Sequence, residues 1–147
     1  MAGHTDRFAA IVTHASLWAL DQFSPTTDHA YCWRREMTPE MTAANSPHRF
    51  VGRIATPTLV VHAASGYRVP IGEGLRRGTG CWAHRRCRPT RMAAVRTGSC
   101  TSQSENHWVM TPQHTKVWYQ VVIVFLSEHA LGESAELPEM LGVPSRL

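Results

Sequence analysis

Apolar residues gather in three short places along the chain. Residues 8–14, Phe8-Ala9-Ala10-Ile11-Val12-Thr13-His14, form a short apolar run of the kind a buried strand makes. Residues 58–62, Thr58-Leu59-Val60-Val61-His62, form a second run, entered through Pro57. Its unbroken Leu-Val-Val lacks polar alternation, which suits a parallel strand covered on both faces. The third place is periodic. Val117, Trp118, Val121, Val122, Phe125 and Leu126 recur at three- and four-residue spacing, which predicts an amphipathic helix over 113–131, stopped by Gly132. Thr38-Pro39 predicts another helix start, with threonine as N-cap and proline at the first helical position. Asn45-Ser46-Pro47 ends that helix, because a residue before proline is pushed out of the α region. Ser24-Pro25-Thr26-Thr27-Asp28 reads as a turn, a further helix begins over 71–75, and residues 133–147 read as a loose tail.

Between Arg76 and Asn106 there is no Leu, Ile or Phe, so this stretch cannot supply a normal share of core. It also explains the charge. The chain has 147 residues, 43% of them apolar, and a net charge of +4. Residues 76–103 hold seven of the 15 basic side chains and none of the 11 acidic ones, so one segment generates the whole basic balance. Trp82 is its only aromatic, and its arginines follow no assignable period. A nucleic-acid module wants basic residues on a recognisable scaffold with stacking aromatics, so no nucleic-acid partner is expected. A solvated, unstructured segment is the simpler reading. Cys81, His84 and Cys87 are spaced by three, with Cys100 as a conceivable fourth ligand, but zinc sites favour tighter cysteine pairs; no metal or cofactor is expected. Lys116 is the only lysine, as GC-rich coding would produce. The longest apolar run, over 121–126, is six residues, too short to cross a bilayer. The N-terminus lacks the pattern of a signal peptide, so a cytoplasmic location is the default.

The chemistry-bearing words lie at the edges of these elements. The strand ending at His62 is followed by a loop, Ala63-Ala64-Ser65-Gly66, and by Tyr67-Arg68-Val69-Pro70. Ser104-Glu105-Asn106-His107-Trp108 presents a histidine just ahead of the last helix. Strand end, acid loop, then histidine loop is the late order of an α/β-hydrolase triad, where serine comes first and Asp and His follow.

Together with His4-Thr5-Asp6-Arg7-Phe8, Ser46-Pro47, Thr56-Pro57 and Trp118-Tyr119, these words resemble the C-terminal catalytic part of the prolyl oligopeptidase family. The subgroup is that of the dipeptidyl aminopeptidases and acylaminoacyl peptidases. The resemblance covers most of residues 3–75 and 104–132. It implies a serine peptidase with an α/β-hydrolase catalytic domain, acting on peptides. The expected architecture is therefore α/β, a partial α/β-hydrolase fold over 1–132, with residues 78–103 irregular. By the same resemblance the catalytic histidine maps onto His107. The acid lies four residues beyond the strand-end histidine, where this chain has Gly66. The nucleophile elbow, Gly-x-Ser-x-Gly, belongs just before His4-Thr5-Asp6, where this chain begins.

The family also places a strand of the type Arg-Phe-Leu-Tyr-Phe-Pro before the histidine turn. Here residues 97–103 read Thr-Gly-Ser-Cys-Thr-Ser-Gln. One set of codons for them, read from its third base, spells the expected strand. Translation of residues 77–103 out of frame, with frame restored before Ser104, accounts for the arginines, the cysteines and the missing apolar pattern together.

A histidine base needs a hydroxyl nucleophile and an orienting carboxylate. Ser16, Ser46 and Ser104 stand outside any elbow context and read as structural. His62 reads as a core histidine bonded to backbone, Asp21 and Asp28 as turn caps in loops, and Glu105 as an organiser of the histidine loop. The expectation is a catalytically inactive remnant of a serine peptidase. The alternative is a non-catalytic interaction fragment, using its basic arm or pairing with a companion chain.

Overall fold

A computed structural model of the chain describes residues 2–83 and 104–135. Two short strands, β1 (Ile11–His14) and β2 (Thr58–Val61), pair in parallel, with Ile11 opposite Thr58 and His14 opposite Val61. The crossover between them holds α1 (Leu20–Thr26), α2 (Ala30–Glu36), α3 (Pro39–Asn45) and a 3₁₀ segment (Pro47–Arg53). After β2 come α4 (Ile71–Ala83), α5 (Pro112–Leu126) and a π turn (Ser127–Leu131). The order is that of a crossover-linked parallel sheet with flanking helices.

All four residues of β2 are buried, as its unbroken apolar run requires. Leu59 and Val61 point to one face by the two-residue period of a strand, and there they meet Val117, Val121 and Phe125 of α5. Trp118 and Val122 close the edges of this cluster. The helix buries Val124 as well and leaves Leu126 exposed. Gly132 then turns left-handed, with φ +73°, a conformation that costs glycine little. Thr38 accepts from the Met41 amide at 3.2 Å and Pro39 opens α3. Ser46, ahead of Pro47, is extended and ends the helix.

Three expectations are corrected. The first strand is shorter than residues 8–14 and begins at Ile11. Residues 24–26 lie inside α1 rather than in a turn, with Pro25 within the helix. Tertiary packing overrides the turn signal there: Phe23 is fully buried, edge-on to Trp33 at 5.4 Å and clustered with Ala15 and Val69. The chain turns only at Thr27. Third, α4 continues through Ala83, six residues into the stretch expected to be irregular. Its anchors are Glu73 and Arg77, one helical turn apart on one face. The Glu73 carboxylate takes the amides of Trp18 and Ala19 at 2.6 and 2.7 Å. Arg77 donates to Thr13 at 3.2 Å and lies over the Trp18 ring. Residues 84–103, with His84, Cys87 and Cys100, and the tail beyond 135 lie outside the described residues.

Candidate active site

Because β1 and β2 are parallel, their C-terminal ends open on the same side, the side on which open α/β sheets place ligands. Each strand delivers a histidine there: His14 is the last residue of β1, and His62 follows β2 directly. His62 is buried, and its Nε2–H donates to the Val69 carbonyl at 2.8 Å, which closes the loop over residues 62–69. With Nε2 as donor, Nδ1 of the neutral ring is an acceptor; it is buried and has no partner among the described residues. A Cβ at position 74 would stand 2.8 Å from that nitrogen, so α4 passes the ring only because it has Gly74 there. Burial holds the His62 pKa below its ordinary value; the Val69 bond and Glu73 oppose this, and His107 adds to it. His14 is lowered too, by burial first and then by His62 and His107. Its ring tilts against Trp118, centroids 6.0 Å apart.

The loop after β2 packs on the histidine turn. Ser65 N–H donates to the Glu105 carbonyl at 3.2 Å. Gly66 is buried, and a Cβ there would stand 3.7 Å from the carbonyl carbon of Asn106, 3.4 Å from the Ala63 oxygen and 3.5 Å from the Val69 oxygen. His107 is half-buried with its ring edge-on to Trp108 at 5.5 Å, and its buried Nδ1 has no hydrogen-bond partner among the described residues. Glu105 ties the turn to α5. Its carboxylate accepts from the amides of Met110 at 2.8 Å and Thr111 at 3.1 Å and pairs with His114 Nδ1 at 2.7 Å. The Thr111 side chain, then His114, then the Met110 amide hold its pKa down to about 2. A carboxylate at the positive end of α5 is favoured on the same grounds.

The serines behave as structural groups where their contacts are defined. Ser16 accepts from Arg77 at 3.4 Å. Ser46 is buried, accepts from the Leu20 amide at 2.9 Å and pairs with His48 Nδ1 at 2.8 Å. Ser104 is exposed in the turn before Glu105. The expectation for Asp21 is corrected, while Asp28 does lie in the turn between α1 and α2. Asp21 sits in the first turn of α1, and Asp28 pairs with Arg68 at 2.9 Å, fastening the chain after α1 to the loop after β2. Sequence reasoning missed His14, Glu73 and Arg77. A signal for His14 existed, since both apolar runs end in histidine. Glu73 and Arg77 gave none, because their partners are main-chain amides and hydroxyls more than fifty residues away. Among the described residues, no group of three or more His, Cys, Asp or Glu side chains could hold a metal ion.

A partial parallel sheet with helices against it, and histidines at its C-terminal edge, is a piece of an α/β-hydrolase fold. The chain belongs to the prolyl oligopeptidase family, whose profile matches residues 1–133. Dipeptidyl-peptidase 5 of Porphyromonas endodontalis is 28% identical over an alignment of 137 residues that covers 86% of this chain and 18% of that protein. The Aspergillus fumigatus dipeptidyl-peptidase 5 is 26% identical over an alignment of 140 residues that covers 84% of this chain and 17% of that protein. The chain thus spans about a fifth of the length of the curated relatives it matches. Among solved structures, the Pyrococcus horikoshii acylaminoacyl peptidase superposes with a TM-score of 0.70 at 12% identity, over 97% of this chain and 24% of that one. An acylaminoacyl peptidase in complex with Z-Gly-Gly-Phe-chloromethyl ketone gives 0.68 at 13%, over 97% and 23%. At that identity the likeness speaks for the fold.

Proposed function

We propose that these 147 residues carry the acid-loop and histidine-turn half of a serine peptidase site, with His107 in the position of the general base and Gly66 in that of its orienting acid. The observation that carries the reading is the contact between the two loops. Position 66 abuts the main chain beside His107, and the buried His107 Nδ1 has no partner among the described residues. In a serine–histidine–acid site that nitrogen donates to the carboxylate, which fixes the tautomer and stabilises the imidazolium as the base takes the serine proton. Backbone amides hold the oxyanion of the tetrahedral intermediate. With glycine at position 66 the loop after β2 offers His107 no carboxylate, and Ser16 and Ser46 are committed to structural bonds.

The chain by itself is therefore inactive toward peptide bonds. Removal of triad members reduces turnover by about four to six orders of magnitude. Exposing the purified chain to a fluorophosphonate probe tests this. No stoichiometric adduct is expected at any serine, and no release of chromophore from dipeptide or acyl-amino-acid anilides. A stoichiometric adduct at one serine would overturn the reading.

A further inference from the structure

Glu105 touches more of the site than a helix cap needs to. Its carboxylate is buried and spans the turn, gathering the Met110 and Thr111 amides and the His114 ring within 3.1 Å. Thr111, the residue that precedes the first turn of α5, makes no side-chain cap of its own. The glutamate six residues upstream does that work and so closes the chain from 105 to 111 into a loop with His107 on it. The main-chain carbonyl of the same residue accepts from Ser65 and fixes the loop bearing Gly66. One residue thereby sets the height of the histidine turn over α5 and its distance from the loop after β2.

We infer that Glu105 is a positioning residue for His107: its carboxylate and carbonyl together hold the histidine against position 66. The inference rests on the reading of His107 and Gly66 as partner positions. Because an ionised carboxylate accepts charge-assisted bonds at both oxygens, a glutamine at 105 keeps the shape, loses the charge and must turn an N–H₂ toward at least one main-chain N–H, that of Met110 or of Thr111. The turn then loses at least one of these bonds and the charge on the rest, while the β2–α5 core below it is untouched.

The test uses imidazole C2–H exchange, read by mass spectrometry, to titrate His107 in the full chain, in Gly66→Asp, and in each of these carrying Glu105→Gln. The expected result is that the carboxylate introduced at position 66 raises the His107 midpoint by about one pH unit. Glu105→Gln should remove about half or more of that rise and speed amide exchange over residues 106–109 about tenfold. His114→Gln, which leaves the carboxylate on its two amides, should give a smaller version of both changes at unchanged thermal stability. It carries the test if Glu105→Gln fails to fold. A Glu105→Gln chain that keeps the full rise and slow amides overturns the inference. A chain in which Gly66→Asp leaves His107 unmoved, while Glu105→Gln still speeds the amides, retires the pairing of 66 with 107 and leaves the anchoring of the turn by Glu105 standing. Unmoved amides retire the anchoring as well.

Discussion

Position 66 has room for a side chain. Gly66 is not in a left-handed conformation, and the atoms nearest a Cβ there lie at ordinary contact distance, 3.4 Å or more. Gly66→Asp should therefore fold as the parent does, and the smaller unfolded-state entropy of a non-glycine residue favours it slightly. Its carboxylate would sit beside the turn that holds His107 and favour the imidazolium. It should nevertheless bring no peptide or ester turnover, because an oriented base without a hydroxyl to deprotonate has no covalent route. Hydrolysis of an acyl-amino-acid anilide by the Gly66→Asp chain above the parent's background would mean that a nucleophile has been overlooked. Gly74 is the opposite case, for a Cβ there would meet the His62 ring at 2.8 Å. The two glycines look alike in the sequence, and only the packing of α4 on His62 separates them.

At the scale of elements, the strand ends make stability depend on pH. His62 and His14 both have folded-state pKa values below the ordinary 6.5, chiefly through burial. The unfolded chain therefore binds their protons more readily than the folded one. The stability these rings contribute is full above about pH 6.5 and is lost as the pH falls through that value toward the depressed folded-state ones. Denaturant midpoints measured from pH 8 down to pH 5 should fall for the parent and fall less for His62→Gln, which keeps a donor for Val69 and takes up no proton. A slope unchanged in His62→Gln would place the dependence elsewhere. The strands and helices behind this behaviour were largely legible. The run over 58–62 declared itself through continuous apolar residues, α3 through Thr38 and Pro39, and α5 through its spacing, because each of these signals is local. Residues 24–26 and 78–83 misled because distant partners decided them: the Phe23 ring packs into a cluster that includes Ala15 and Val69, and Glu73 and Arg77 bind the 13–19 segment. Positions 66 and 107 of the proposed site are the ones the sequence offers, through their order along the chain. The site was illegible at His14, whose role depends on β1 and β2 lying in register.

At the scale of the whole chain, the described residues bury their apolar side chains in three separate clusters. One lies between β2 and α5, one around Trp18 and Ile54, and one around Phe23 and Val69. Between β1 and β2 there is one ladder of four residue pairs, which leaves each strand an edge not used by the other. Large apolar side chains stand in the open: Tyr67, Trp108 and Met110 beside the candidate site, and Tyr119 and Ile123 on the outer face of α5, each more than half exposed. Edges left unpaired among the described residues, and exposed aromatic rings, favour association. Burial at about 25 cal/mol per Å² must offset roughly 1–2 kcal/mol of backbone ordering per residue, and three small clusters do so less cooperatively than one core. The site-bearing loops hang from the first cluster, since β2 and α5 deliver the strand-end loop and the histidine turn to each other. Phe125→Ala in that cluster should therefore cost about 3–5 kcal/mol and loosen residues 104–111 along with α5, while amide protection over α1 and α3 persists. The isolated chain should accordingly unfold in a broad transition, with a calorimetric enthalpy that exceeds the van't Hoff value, or associate at micromolar concentration in light scattering. A monodisperse monomer with one sharp transition, lost as a unit in Phe125→Ala, would mean that the three clusters act as one core.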